Sequence, residues 1–343
     1  MRLGIIGLPQ SGKATVFEAL TGTPVDPGQR MESRIGTVAV PDGRVDRLSA
    51  LYRPRKTTYA QVEYLLPGRH GGGEKGRDPN VWVPVRDCDA LIHVVRHFGG
   101  YGFEAPDPRR DVVALDQELI LADLVVAEKR LERLAQEKQR GRPVDGEELD
   151  LLKTCREHLE NETPLRRFPE LAGHPKLRGF AFVSGKPMLI LCNNEDDEAS
   201  LPDLGAIAQS EVCMVLRGKL EQELAQMSAE EAEAFLNEFA IEVSATDRVI
   251  AASYRLLGLI SFFTVGEDEV RAWTIRRGTS ALDAAGAIHS DLKQGFIRAE
   301  VVAYADLMAA GGLPEARKLG TFRLEGKTYE VQDGDVVHIR FNI

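Results

Sequence analysis

The sequence contains no apolar run long enough to cross a membrane as a helix. Such a span needs about 20 consecutive apolar residues, and the apolar stretches here are only as long as a buried strand. The opening MRLGIIGLPQSGK has a very short apolar stretch before turn residues and a lysine, unlike a secretory signal peptide. We therefore expect a cytoplasmic protein.

Cysteine is also scarce, and its spacing carries no metal or redox motif. Zinc ribbons and thiol oxidoreductases place two cysteines in C-x-x-C spacing, which does not occur here. We expect reduced thiols that pack as small hydrophobic side chains. The four cysteines are Cys88, Cys155, Cys192 and Cys213.

Basic residues do not outnumber acidic ones. Lys and Arg total 43 against 53 Asp and Glu, so the formal net charge is −10. This excludes a protein that coats nucleic acid with its whole surface, because phosphate binding needs positive potential. Three short basic clusters remain, each either solvated surface or a contact with RNA phosphates: Arg53 with Arg55 and Lys56, Arg166 with Arg167, and Arg276 with Arg277.

Four apolar strands are predicted, at residues 2–6, 62–66, 90–96 and 187–193. Unbroken apolar strands separated by helical stretches are typical of a parallel sheet with both faces covered, which defines an α/β protein. Polar loops follow the third and fourth strands, where such sheets tend to bind ligands. His93, within the third strand, is expected to be a hydrogen-bonded core residue and not a ligand.

Two further regions depart from this pattern. From about 115 to 162 the sequence is helical, with a break at GRPVDG, which predicts an antiparallel helical hairpin. From about 262 a strand, an amphipathic helix over 280–296 and short hairpin strands predict a small β-grasp module. We therefore divide the chain into a nucleotide-binding domain (1–114 and 180–261), a hairpin insertion (115–179) and a β-grasp domain (262–343).

The strongest chemical signal is GLPQSGK, from Gly7 to Lys13, which satisfies the pattern G-x-x-x-x-G-K between a strand and a helix. The glycines let backbone N–H groups turn inward toward phosphate oxygens, and the start of the helix adds its positive dipole end. The lysine adds a point charge for the β- and γ-phosphates. The predicted phosphate-binding residues are Gly7, Gln10, Ser11, Gly12, Lys13, Ala14 and Thr15.

The residue after the lysine breaks the usual pattern. Loops of this kind place Ser or Thr there, and its hydroxyl ligates Mg²⁺. Here the position is Ala14, which has no side-chain oxygen. Thr15 lies about 100° further round the helix, so it does not simply take over. The sequence thus predicts an intact phosphate cradle without its metal ligand.

The chain as a whole resembles the YchF/Obg-like ATPases, relatives of the TRAFAC-class GTPases. The resemblance rests on GLPQSGKATVFEALTG, on ELILADLVVAEKRLERL and on the C-terminal run from LLGLISFFTVGEDEVRAWTI to LEGKTYEVQDGDVVHIRFN. It implies a doubly wound, mainly parallel P-loop domain, an inserted helical hairpin and a C-terminal TGS-type β-grasp domain. It also implies GTP or ATP binding, slow hydrolysis and association with ribosomes.

Carried over residue by residue, the resemblance is uneven. Leu66 stands where the family has the aspartate that holds Mg²⁺ through water, and Ala14 stands where it has serine. The Gly-rich loop 71–76, next to His70, occupies the expected place of switch II. Mg²⁺ is therefore a candidate cofactor whose usual protein ligands are missing here, and no metal-binding residue is assigned.

The base-reading element is better preserved. Asn193, Asn194 and Asp196 lie in NNED after the fourth strand and resemble N-x-x-[DE]. An aspartate at the last position favours guanine, because its carboxylate accepts two N–H bonds. The alternative is a polar acidic loop after a buried strand.

Three hypotheses follow. The first is a nucleotide-responsive binding protein that meets a ribosome through its helical and TGS-like parts. The second is a slow NTPase that uses Mg²⁺ held mainly by phosphates and water. The third is a scaffold that keeps the fold without nucleotide, against which the Gly12-Lys13 pair argues.

Overall fold

The computed structural model describes residues 1–26, 28, 32–68, 82–100, 104–238 and 244–342. His70 and the Gly-rich loop 71–76 lie outside these ranges. Contacts divide the chain into two compact units. The first comprises Met1–Gly36 and Glu63–Val249, and the second Thr37–Val62 and Ile250–Ile343.

The strands and helices follow in chain order. The strands are β1 (Arg2–Ile6), β2 (Arg34–Ala39), β3 (Lys56–Thr58), β4 (Gln61–Leu66), β5 (Ala90–His97), β6 (Met188–Asn194), β7 (Val212–Leu216), β8 (Leu259–Val265), β9 (Glu269–Arg276), β10 (Phe296–Ala303), β11 (Arg323–Glu325) and β12 (Asp335–Phe341). The helices are α1 (Lys13–Thr21), α2 (Gly43–Tyr52), α3 (Val83–Arg86), α4 (Pro108–Gln139), α5 (Gly146–Glu160), α6 (Pro169–Ala172), α7 (Ile207–Ser210), α8 (Gly218–Leu224), α9 (Ala229–Glu238), α10 (Ala245–Leu256), α11 (Ala281–Ile288), α12 (Ser290–Gln294), α13 (Tyr304–Ala310) and α14 (Leu313–Lys318). Two 3-10 turns, Leu165–Arg167 and Pro175–Phe180, follow α5 and α6.

The first sheet has the strand order β2-β4-β1-β5-β6-β7. Strand β1 lies parallel to both β4 and β5, and β5, β6 and β7 continue the parallel arrangement. The four predicted strands correspond to β1, β4, β5 and β6. Buried side chains lie on both faces of the sheet, which explains the continuous apolar runs. The predicted α/β fold with a parallel sheet is confirmed.

The helical hairpin consists of α4 and α5. Helix α4 begins at Pro108, seven residues before the predicted start, because Asp107 caps it by accepting from the Arg110 N–H at 3.0 Å. Its first turns pack Leu115 and Leu119 against the sheet. Its later turns pack against α5, where Leu152, Cys155 and Leu159 are buried. The predicted hairpin is confirmed.

The second sheet has the order β11-β10-β12-β8-β9-β3. Strands β8 and β9 are antiparallel, as are β10 and β12, and α11 packs Ala281, Ala284 and Ala285 into the core beside them. The β-grasp expectation for this region is confirmed. The short polar strand β3 pairs in parallel with β9, so Thr37–Val62 belongs to the second unit. The three-domain division therefore remains a prediction.

One predicted helix was wrong in detail. The amphipathic segment 280–296 is two helices, α11 and α12, because His289 has an extended backbone with φ −161° and ψ 147°. The His289 side chain accepts from the Asp291 N–H at 3.2 Å and so caps α12. Within the described ranges, no helix is long and apolar enough to span a membrane.

Candidate functional site

The loop from Gly7 to Gly12 joins β1 to α1 and has a backbone that only glycine accommodates at two positions. Gly7 has φ 154°, and a Cβ there would lie 2.4 Å from the Val94 carbonyl oxygen. Gly12 has φ 89°, and its Cβ would lie 2.2 Å from Nδ2 of Asn193. Both residues combine a backbone conformation that disfavours side chains with contacts that leave no space for one. Gln10 also has a positive φ, at 65°.

Lys13 is the first residue of α1, and its side chain folds back over the loop. Its Nζ donates to the carbonyl oxygens of Gly7 at 2.8 Å and Leu8 at 2.7 Å. The ammonium thus lies beside the curled backbone and the amino end of α1. Concentrated backbone N–H groups, a helix terminus and a lysine together make an anion-binding concavity. This arrangement can hold polyphosphate.

The other predicted phosphate-binding residues lie in the same loop and first helical turn. Ser11 is buried, and its Oγ has no hydrogen-bond partner in the described part of the chain. Ala14 is exposed and Thr15 half-buried. The fold therefore brings together all seven predicted phosphate-binding positions.

Neither position that usually handles Mg²⁺ offers an oxygen. Ala14 ends in a methyl group, and Leu66, at the end of β4, is a buried apolar side chain. Among the described residues, no group of three or more His, Cys, Asp or Glu side chains is arranged to hold a metal ion. The residues that the structure describes therefore do not fit a protein-ligated Mg²⁺.

Asn193, at the end of β6, ties the loop to the next strand–helix connection. Its Nδ2 donates to the Ser11 carbonyl oxygen at 3.2 Å, and its Oδ1 accepts from the Gly218 N–H at 3.0 Å. A Cβ at Gly218 would lie 2.5 Å from that Oδ1. The side chain is buried, so these two bonds hold the phosphate loop against the start of α8.

The two remaining predicted base-binding residues differ in exposure. Asn194 is buried. Its Nδ2 donates to the Ser200 carbonyl oxygen at 2.8 Å, and its Oδ1 lies 3.1 Å from Nδ1 of His97. Asn194 therefore stabilises the loop that follows β6. Asp196 is exposed, and its carboxylate accepts from the Leu220 N–H at 3.2 Å. Of the two, Asp196 is the one open to a ligand.

Sequence reasoning missed the connection after β7. Arg217 donates from Nη1 to the Asp196 carbonyl oxygen at 3.3 Å, and Gly218 meets Asn193 as described. Together these residues place a second loop beside Asp196. The available signal was Arg-Gly-Lys directly after the apolar strand VCMVL, at the same edge of the parallel sheet.

His93 is a core residue, as expected, but it is not hydrogen-bonded. The side chain is fully buried, and neither ring nitrogen has a partner among the described residues. Burial, with smaller contributions from the charges of Arg166 and Lys13, lowers the pKa of His93 from 6.5 to about 3. The imidazole is therefore neutral at physiological pH.

Arg166 is not available to an RNA phosphate. Only 5% of its side chain is exposed, and it pairs with Asp116 at 2.6 Å and Glu211 at 2.9 Å. Arg167 pairs with the same Glu211 at 3.3 Å. Arg166 is therefore a structural residue. Neither expectation for this basic cluster, solvated surface or RNA contact, holds for it.

Comparisons with known proteins agree along the whole chain. The family model YchF-GTPase_C, described as a protein of unknown function (DUF933), matches residues 259–342. The "Ribosome-binding ATPase YchF" of Bacillus subtilis is 39% identical, covering 99% of this chain and 99% of the relative. That of Escherichia coli O157:H7 is 35% identical, covering 100% and 99%. The solved Schizosaccharomyces pombe YchF GTPase superposes with a TM-score of 0.84 at 27% identity, covering 99% and 97%.

Proposed function

The chain belongs to the YchF family, and on this premise we propose that it is a nucleotide-responsive protein that binds GTP or ATP in its phosphate loop and associates with ribosomes. Relatives named as ribosome-binding ATPases match it over their full length, and a solved relative is named a GTPase. Ribosome association makes it a cytoplasmic protein. The helical hairpin and the TGS-like module are the parts that meet the partner.

The observation that carries the nucleotide proposal is the cradle between β1 and α1. Gly7 and Gly12 have backbone conformations that disfavour side chains, and a Cβ at either position would clash with the Val94 carbonyl oxygen or the Asn193 amide. Their arrangement exposes backbone N–H groups beside Lys13, which stabilises a polyphosphate by charge and by hydrogen bonds. A scaffold without nucleotide has no need of this geometry.

The site offers less for hydrolysis than for nucleotide binding. Phosphoryl transfer depends on positioning and on metal charge between the phosphates. With Ala14 and Leu66 at the usual ligand positions, the described part of the chain leaves Mg²⁺ to phosphate oxygens and water. We therefore expect nucleotide occupancy, and not turnover, to determine how the protein meets its partner.

The base is assigned to Asp196, supported by the loop at Arg217 and Gly218. Asp196 carries an exposed carboxylate beside the loop that the Asn193–Gly218 hydrogen bond holds in place. Such a carboxylate can accept hydrogen bonds from the two adjacent N–H groups of guanine. The Leu220 N–H engages one carboxylate oxygen and leaves the other accessible. This favours GTP, whereas the bacterial relatives are named ATPases.

The decisive experiment is calorimetric titration of nucleotide-free protein with GTP, GDP, ATP and ADP, each with and without Mg²⁺. We expect nucleotide binding that barely changes with Mg²⁺, since no group of His, Cys, Asp or Glu side chains in the described ranges is arranged to hold the ion. Strong Mg²⁺ dependence would instead favour the slow NTPase. If none of the four nucleotides binds, only the hypothesis of a scaffold without nucleotide remains.

A second experiment tests turnover. Phosphate release equal to that of Lys13→Ala would exclude the NTPase. If the missing ligand limits turnover, Ala14→Ser should raise it, because a hydroxyl then reaches Mg²⁺ from an exposed position that tolerates the change. Ribosome co-sedimentation that does not respond to nucleotide would contradict the proposed response.

A further inference from the structure

Helix α8 is held at its start by two side chains of the candidate nucleotide site. It begins at Gly218, whose N–H donates to Oδ1 of Asn193 at 3.0 Å. Two residues later, the Leu220 N–H donates to Oδ1 of Asp196 at 3.2 Å. The first N–H groups of a helix have no partner within the helix itself. Two residues predicted to bind the base therefore supply partners for the first turn of α8.

The phosphate loop is connected to the same helix. The Asn193 side chain that accepts from Gly218 also donates from Nδ2 to the Ser11 carbonyl oxygen at 3.2 Å, so one buried amide joins the loop to α8. Helix α1, which follows the loop, is tied to α8 by a hydrogen bond from Gln222 to the Glu18 carboxylate. A ligand that fills the phosphate loop therefore acts on elements that α8 contacts directly.

A buried carboxylate of α8 caps the start of another helix, α10. Glu221 is only 4% exposed. Its Oε1 accepts from the Ala245 N–H at 2.9 Å, and its Oε2 accepts from the N–H of Thr246 at 3.2 Å and from the hydroxyl at 2.8 Å. Ser244 completes the cap by accepting from the Asp247 N–H at 3.0 Å. Because a carboxylate is stabilised by the N–H groups and the dipole of a helix start, the first turn of α10 depends on where α8 places Glu221.

Helix α10 is where the chain passes into the region of the β-grasp module. The helix spans Ala245–Leu256, and the boundary between the two compact units falls within it, between Val249 and Ile250. The nucleotide site, α8 and the capped first turn of α10 all belong to the first unit. A change at this cap therefore alters the start of a helix that continues into the second unit.

We infer that α8 couples nucleotide occupancy to the start of α10, and that Glu221 is the positioning residue at their junction. The inference rests on the proposed nucleotide binding and adds to it the route by which the protein responds. A nucleotide bound at the phosphate loop and Asp196 holds the first turn of α8 in place, and this keeps Glu221 against the Ala245 and Thr246 N–H groups. Such coupling is reciprocal. The capped form of α10 therefore binds nucleotide more tightly, by the same factor by which nucleotide stabilises the cap.

The test measures two quantities on the full chain with GTP and with ATP: hydrogen exchange at the start of α10 and calorimetric affinity. In the unsubstituted protein, saturating nucleotide should slow exchange of the Ala245 and Thr246 amides at least about fivefold, the lower end of typical couplings. Glu221→Gln turns one acceptor oxygen into an amide donor that faces these N–H groups, so it should abolish the slowing. Its nucleotide affinity should fall by the same factor by which nucleotide slows exchange in the unsubstituted protein.

Two further variants separate coupling from a purely structural cap. Glu223→Gln removes an equal charge from an exposed position on the same helix and should change neither quantity. Thr246→Val removes only the hydroxyl contact and leaves both backbone contacts with Glu221. It should therefore fold even if Glu221→Gln does not, and show a smaller loss of both quantities.

The outcomes distinguish this inference from the proposed function. If nucleotide binds but exchange at the start of α10 ignores it, the inference is wrong and the proposed function stands. The same holds if Glu221→Gln and Thr246→Val bind nucleotide as tightly as the unsubstituted chain, since the cap would then be structural only. If neither GTP nor ATP binds the unsubstituted chain, the proposed function and the inference fail together.

Discussion

The buried, unpartnered imidazole of His93 should make the first unit sensitive to acid. The side chain is fully buried, and its folded pKa is about 3, against 6.5 for an ordinary histidine. Between these values the unfolded chain takes up a proton that the folded chain does not. Stability therefore falls as pH decreases below about 6.5, by about 1.4 kcal/mol per pH unit.

The folded and unfolded pKa values of His93 differ by about 3.5 units. The free energy of unfolding therefore falls by about 2 kcal/mol near pH 5 and by about 5 kcal/mol by pH 3. His93→Leu removes the group at nearly constant volume and also removes two buried nitrogens without partners. We expect this variant to lose the acid sensitivity and to be at least as stable at neutral pH, since unsatisfied buried groups cost about 1–3 kcal/mol.

The assay is urea unfolding at several pH values, followed by tryptophan fluorescence. The chain has two tryptophans. Trp82 is buried in the same core cluster as Leu91 and Val95, which flank His93 on β5, and a Trp273→Phe background removes the signal of the second unit. His338→Gln, at an exposed histidine, should leave the profile unchanged. If His93→Leu and the unsubstituted chain lose stability equally between pH 7 and 5, the reasoning is wrong.

Three further substitutions test the site and its support. Gly12→Ala should weaken nucleotide binding at least about tenfold, because its Cβ would meet the Asn193 amide at 2.2 Å with φ 89°; calorimetric binding close to that of the unsubstituted protein would contradict this. Asn193→Ala removes both bonds between the phosphate loop and α8, and should lower stability by about 1–3 kcal/mol and also weaken GTP binding; an effect on stability alone would limit Asn193 to a structural role. Arg166→Ala leaves Asp116 and Glu211 without their buried partner, and thermal unfolding should show a loss of about 3–5 kcal/mol; a change below about 1 kcal/mol would mean that the pair is solvated.

The phosphate loop was predictable because its signal is local. The spacing of Gly7, Gly12 and Lys13 is fixed by one turn between a strand and a helix, and no distant residue is needed to define it. The same holds for the apolar strands β1, β5 and β6, where burial on both faces leaves a continuous apolar run. Asn193 was also identified, although its link to Gly218 depends on two strands meeting at one edge of the sheet.

Other features have no local signal. Strand β3 has only three residues, KTT, and becomes a strand because β9 offers it a parallel edge. The break at His289 interrupts an amphipathic pattern that continues on both sides, so periodicity alone extends the helix through it. Arg166 looked like an accessible surface charge, and only the approach of Asp116 on α4 and Glu211 between α7 and β7 shows that it is enclosed by carboxylates.

The sequence by itself determined the fold class, the phosphate cradle and the lack of oxygen at Ala14 and Leu66, because these depend on side-chain chemistry and on neighbours close along the chain. The tertiary structure decided which charges are enclosed. Arg166 is buried between its carboxylate partners, whereas Arg317 and Arg340 pair with Glu300 and stay exposed. Such differences arise from residues 17 to 50 positions apart in sequence that folding brings within hydrogen-bond distance, which is information that no local pattern carries.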